Sequence, residues 1–179
     1  HAGRLDLGNK RQDLLIRAFA SVAEKFPDWE VYLWGDGKGK EKLKALIHKL
    51  HMENRVFLCG TTSQIMTEYK KSDLMVFPSK NEGWGLALTE AMSCGLPAVG
   101  YKSCGAVNEI IEDGKTGYLV EDGVESLAEA MRKLMGNQKL RVQMGQAAHE
   151  SMKRFAPEKV WDTWEGLLKM HCETGGEKK

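Results

Sequence analysis

The sequence predicts an α/β domain built on a doubly wound, Rossmann-like parallel sheet, and three observations carry that prediction. Short β-type runs alternate with longer amphipathic runs, the order that βαβ units produce. Parallel strands joined by helices take right-handed crossovers, which wind helices onto both faces of the sheet. Nearly every strand-like run also ends in a loop of small residues: Gly35-Asp36-Gly37, Cys59-Gly60-Thr61, Pro78-Ser79 through Gly85, and Gly100-Tyr101.

Residues 30–34, 55–58, 74–77, 98–100 and 118–120 read as strands. Between them, residues 13–26 place Leu15, Ile16, Phe19, Val22, Ala23 and Phe26 at helical spacing. Residues 40–50 put Leu43, Leu46, Ile47 and Leu50 on one face. Residues 62–71 and 86–94 read as shorter helices, and 124–135, 140–152 and 157–170 as three closing ones. Gly136-Asn137 breaks the first closing pair, and Ala156-Pro157 opens the last helix. Without a linker or repeat, residues 1–179 are expected to form a single domain. Its tail is expected to fray from residue 171, and its start at His1 to fall inside a truncated first strand.

Composition narrows the function. Hydrophobic residues make up 42% and charged residues 28% of the chain, the balance of a soluble globular protein. A net charge of +1 argues against a nucleic-acid binder, which concentrates basic charge on one face. Lys38, Lys40, Lys42 and Lys44 read as a solvated helix face rather than a membrane patch. No apolar run reaches the length of a membrane helix. The four cysteines show no CxxC spacing, so reduced thiols in a cytoplasmic protein are expected, with a Cys94–Cys104 bridge as the alternative. The histidines are scattered, and no metal site is expected.

Ligands of open α/β sheets bind at the carboxyl ends of the strands, where glycine lets a ligand approach the backbone. The row of small-residue loops therefore predicts a polar, phosphorylated ligand along that edge. Glu82 and Glu90 lie there with seven residues between them. Their spacing carries nothing, since Glu121/Glu129, Glu150/Glu158 and Glu165/Glu173 repeat it. Their context does: only this pair brackets a Gly-x-Gly turn that follows a strand and opens a helix. Free amides from Gly83, Trp84, Gly85 and Leu86 can bind an anion at that helix start. Glu90 can accept two ribose hydroxyls, or stand as a surface carboxylate near a helix N-terminus. Arg4 and Lys10, around the first loop, offer two cations to a diphosphate or to solvent. The run Gly35-Asp36-Gly37-Lys38-Gly39 departs from the dinucleotide fingerprint GxGxxG.

The stretch Glu82-Gly83-Trp84-Gly85-Leu86-Ala87-Leu88-Thr89-Glu90, continuing through Gly95-Leu96-Pro97, resembles the signature of the family 4 (group 1) retaining glycosyltransferases. Gly3-Arg4-Leu5 with Lys10, Leu33-Trp34-Gly35-Asp36-Gly37, and Glu109-Ile110-Ile111 with Gly117-Tyr118-Leu119-Val120 agree in the right order. The resemblance implies the C-terminal, donor-binding half of a GT-B fold. It implies that Arg4 and Lys10 bind the donor diphosphate and that residues 83–86 touch phosphate or sugar. Glu82 would contact sugar hydroxyls and Glu90 the ribose, with Thr62 near the base; Glu82, Arg4 and Lys10 form the implied catalytic set. The donor would be a UDP-, GDP- or ADP-sugar, with no metal and no cofactor. The acceptor, a saccharide or lipid-linked glycan, would be held by an N-terminal domain, and the isolated fragment would transfer nothing. The full-length protein would be cytoplasmic, with peripheral contact at the inner face of a membrane. Trp84 stands where the family often has Phe, and residues 102–108 lack the Gly-Pro commonly found before Glu109. A GT-B sugar-nucleotide epimerase and a non-catalytic nucleotide-sugar-binding module are the alternatives.

Overall fold

The computed structural model describes residues 1–174, with side chains through Met170. Five strands alternate with helices: α1 (Gln12–Val22), β1 (Val31–Trp34), α2 (Lys40–Lys49), β2 (Val56–Gly60), α3 (Ile65–Lys70), β3 (Met75–Phe77), α4 (Leu86–Ser93), β4 (Ala98–Tyr101), α5 (Gly105–Ile110), β5 (Gly117–Val120), α6 (Val124–Met135), α7 (Gln138–Met152) and α8 (Pro157–Thr174). Every strand pairing is parallel. The α/β class is therefore as expected, but the strands form two sheets rather than one, β1-β2 and β3-β4-β5. Between β1 and β3 only the segment His1–Gly3 intervenes, and it is too short to join them along their length.

Helices cover both faces, and β4 shows why. Val99 and Tyr101 face one core, with Leu15, Phe19, Leu33, Leu127 and Met131. Ala98, one residue out of phase, faces a second core with Phe77, Leu88, Met92, Val107 and Ala148. Alternate residues of a strand point to opposite faces. So α1 and α6 pack on one side, and α4, α5 and α7 on the other.

The boundaries differ from expectation where side chains intervene. The first helix ends at Val22 and passes into a 3-10 turn over Ala23–Lys25. α3 starts at Ile65 rather than residue 62, because the Thr62 hydroxyl accepts the Gln64 amide in a turn (3.0 Å). α7 starts at Gln138, capped by the Asn137 side chain on the Leu140 amide (3.0 Å). α5 falls where the sequence reads as a loop. Cys59, Cys94 and Cys104 are free thiols, so the Cys94–Cys104 alternative is not formed. α8 runs to Thr174; the remainder of the tail expected to fray, residues 175–179, lies outside the described residues. No helix among the described residues is long and apolar enough to cross a membrane.

Candidate functional site

Two loops meet at the carboxyl ends of the strands. The first, residues 3–11, is pinned beside β1: the Gly3 amide donates to Trp34 O (2.9 Å), Leu5 to Asp36 O (3.0 Å), and Gly39 to Leu5 O (2.9 Å). It then closes on itself, with Lys10 and Arg11 both donating to Asp6 O (2.8 and 3.1 Å). The second loop follows β3. Its Lys80 amide donates to Asn9 O (2.8 Å) and its Asn81 amide to Asn9 Oδ1 (3.1 Å), so Asn9 fastens the two loops together.

That fastening brings Lys10 and Glu82 into a direct ion pair across 72 positions of sequence. Both side chains are largely buried, at 18% and 11% exposure. The Lys10 ammonium also lies 5.4 Å from the centroid of the Phe77 ring at the end of β3. A desolvated pair of this kind holds its geometry more firmly than an exposed one, because each partner is costly to leave alone.

The Gly-x-Gly turn then enters α4. Gly85 takes φ +89°, a left-handed conformation that glycine adopts without a Cβ penalty. No side chain caps the helix and its first turn carries no acidic residue. The amides at this end are thus available to an anion. Trp84 stands half exposed with its ring edge-on to Phe155 (4.8 Å between centroids). Trp84, Leu86 and Glu90 line an open cavity of about 640 Å³ together with His149, Lys153 and Phe155. Burial pushes the Glu90 carboxyl above the usual carboxylate range.

Arg4 and Thr62 do not line this cavity and make no ion pair or hydrogen bond with the Lys10 or Glu82 side chain among the described residues. Arg4 is mostly exposed and lies 3.7 Å from Asp6. Thr62 uses its hydroxyl in the turn before α3 and makes no hydrogen bond to Glu82 or Glu90 among the described residues. On the surface, His48 Nδ1 lies 2.5 Å from Glu53 Oε1. No group of three or more metal-ligating side chains is present among the described residues.

Sequence reasoning missed the anchor on the other flank of the first loop. Arg11 adopts φ +53° just before α1 and donates to Asp122 (2.6 Å), which also accepts from Ser103 Oγ (2.5 Å). Burial alone would raise the Asp122 carboxyl, but the bonds from Ser103 and Arg11 outweigh it and hold it below the usual range. The Arg11 guanidinium also lies over the Tyr101 ring (5.3 Å). Its only sequence signal was a charged residue beside Lys10.

The arrangement matches known proteins. The sequence model described as "Glycosyl transferases group 1" matches residues 1–151. The chain belongs to the group 1 glycosyltransferases. An exopolysaccharide phosphotransferase of Streptomyces coelicolor is 37% identical over 162 residues, which is 89% of this chain and 17% of that protein. N-acetyl-alpha-D-glucosaminyl L-malate synthase of Bacillus anthracis is 35% identical over 160 residues, 88% of this chain and 42% of that enzyme. Among solved structures, a mutant of Staphylococcus aureus TarM in complex with fondaparinux, alpha-GlcNAc-glycerol and UDP superposes with a TM-score of 0.87 at 30% identity, covering 93% of this chain and 34% of TarM. The chain thus spans less than half the length of each of these three proteins. Its structural neighbours share the GT-B glycosyltransferase fold.

Proposed function

We propose that this chain is the donor-binding half of a retaining glycosyltransferase that takes a nucleotide-diphosphate sugar. The observation that carries the proposal is the Lys10–Glu82 pair set beside the uncapped start of α4 on the carboxyl edge of the sheet. In this reading Arg4 and Lys10 neutralise the diphosphate, and the amides of Gly83, Trp84, Gly85 and Leu86 receive phosphate or sugar oxygens. Glu82, oriented by Lys10, accepts donor-sugar hydroxyls. Glu90 accepts the ribose hydroxyls, and Thr62 lies on the side of the base. The charge that develops on the departing nucleoside diphosphate is held by cations and backbone dipoles already in place, so no metal and no cofactor is required. UDP is the first nucleotide to test, since the TarM crystal contains it; GDP and ADP follow.

The acceptor, a saccharide or lipid-linked glycan, belongs to an N-terminal domain in this reading. The chain by itself then binds nucleotide and transfers nothing, and the whole enzyme works in the cytoplasm. Calorimetric titration of the folded chain with UDP, GDP and ADP tests the proposal. Heat of binding for one of the three is expected, and none from any of them refutes it. Sugar transfer by the chain alone refutes the half-enzyme reading.

A further inference from the structure

The Gly-x-Gly turn is fixed at its two ends. Glu82 is held by Lys10. Gly85 rests on the core beneath it, where a Cβ would meet Ile110 Cδ1 at 3.4 Å and Phe77 Cε1 at 3.8 Å. The middle is held by little else. Among the described residues, the amides of Gly83, Trp84 and Gly85 donate no hydrogen bond, and a Cβ on Gly83 would meet nothing within 4 Å.

Trp84 is the one bulky group in this stretch, and its ring leans edge-on against Phe155, 4.8 Å between centroids. Phe155 closes the 3-10 turn Lys153–Phe155, and the chain then passes through the extended Ala156 into α8. Every residue of α8 whose side chain is described is exposed, so α8 does not seat Phe155. Arg154 does. Its Nη2 donates to Glu109 O (2.6 Å) and Ile110 O (3.2 Å), the last carbonyls of α5, and its guanidinium lies 4.6 Å from the centroid of the Phe155 ring. A chain of contacts therefore runs from the end of α5 through Arg154 and Phe155 to Trp84. It returns to the turn where it began, because Ile110 also touches Gly85.

The cavity beside Trp84 gives this prop a purpose. Trp84, Glu90 and Phe155 all line it, and its 640 Å³ would admit an indole ring. Without the Phe155 edge to lean on, Trp84 could turn into that space, in front of Glu90, and take the Gly83 and Gly85 amides with it.

We propose that Phe155 is a positioning residue for the donor site: acting through Trp84, it sets the amides of residues 83–86 and keeps the space beside Glu90 open. The proposal rests on the reading of those amides and of Glu90 as donor-binding groups.

The test uses Phe155→Ala, Phe155→Leu, Phe155→Tyr, Trp84→Ala and the double variant Trp84→Ala/Phe155→Ala. NMR reads the Gly83 and Gly85 amides and the Trp84 indole N–H without ligand, and calorimetry reads UDP binding. Phe155→Ala is expected to shift all three resonances and to weaken UDP binding by roughly three- to tenfold, the range one aromatic pair supplies. Phe155→Tyr, which keeps the ring, should retain the parent's resonances and affinity. In the Trp84→Ala background, adding Phe155→Ala should change affinity less than about twofold, since residues that act through one another are not additive. If Phe155→Ala does not fold, Phe155→Leu, which fills the space without a ring, must show the same shifts and loss. Unmoved Gly83 and Gly85 resonances overturn the proposal. So does an equal loss of affinity with and without Trp84, or a loss in Phe155→Tyr as large as in Phe155→Ala. A parent that binds none of UDP, GDP and ADP refutes the donor-site reading instead, and the ligand-free resonances then decide by themselves whether Phe155 sets the turn.

Discussion

Replacing Gly145 with Ala sets helix propensity against packing, and the structure decides the sign. Gly145 sits inside α7, where Ala is worth about 1 kcal/mol over Gly in an exposed helix. On that ground alone Gly145→Ala stabilises. A Cβ at this position, however, would stand 2.1 Å from Gly95 O and 3.5 Å from Pro97 Cδ, where ordinary contact begins at 3.4 Å. The helix would have to retreat by about 1.3 Å from the turn that ends α4. Overpacking costs about 1–3 kcal/mol, and a 2.1 Å approach to rigid backbone puts this case at the upper end, about 2–3, so the net effect after the propensity gain is a loss of ~1–2 kcal/mol. For a domain of this size each kcal/mol moves the melting temperature by about 2–4 °C, giving a fall of ~2–8 °C. Gly166→Ala is the matched control: it lies in α8, and its new Cβ meets nothing within 4 Å. It should stabilise by about 0.5–1 kcal/mol. Thermal and urea unfolding followed by circular dichroism measures both. A Gly145→Ala protein as stable as the parent, or more so, would refute the argument that backbone contact sets the distance between α4 and α7.

Two other outcomes are expected. Glu90→Gln should raise thermal stability at pH 7 and weaken nucleotide binding. Burial raises the folded-state carboxyl, so the ionised form works against folding above the unfolded value, and the stability gain should vanish once acid protonates the parent. A gain that persists unchanged at low pH contradicts this. Lys10→Met should weaken UDP binding at least tenfold in calorimetry, whereas Glu129→Ala, from an equally spaced pair and surface-paired with Lys133, should leave it alone.

Local pattern revealed the parts of this fold that depend on local pattern. The apolar spacing of α1, α2 and α6 and the short apolar and aromatic runs at β1 and β3 lie within windows of ten or so residues. So does the Gly-x-Gly turn, whose second glycine does take the left-handed conformation that starts α4. The six-residue α5 is too short to show a period. It is held by the burial of Val107 and Ile110 rather than by any cap, so its sequence reads as loop. The pairings that shape the site are long-range. Lys10 meets Glu82, Asn9 meets Lys80 and Asn81, and Arg11 meets Asp122, each across 71 positions or more. The alternation of elements placed these residues on one edge, but only folding says which of them touch. The division of the sheet was likewise hidden, because a strand list carries no register between strands that do not pair.

The fastening by Asn9 has a thermodynamic consequence. The loop before α1 and the loop after β3 come from opposite ends of the fold's first half, and each is shaped by the other. No fragment that contains only one of them retains the pair of groups that would grip a nucleotide. Binding is then linked to the whole domain's cooperative unfolding and not to the opening of a single loop. A nucleotide at a hundred times its dissociation constant should raise global stability by about 2.7 kcal/mol. The added protection should extend to amides in β4 and α6, which a ligand at this edge never touches.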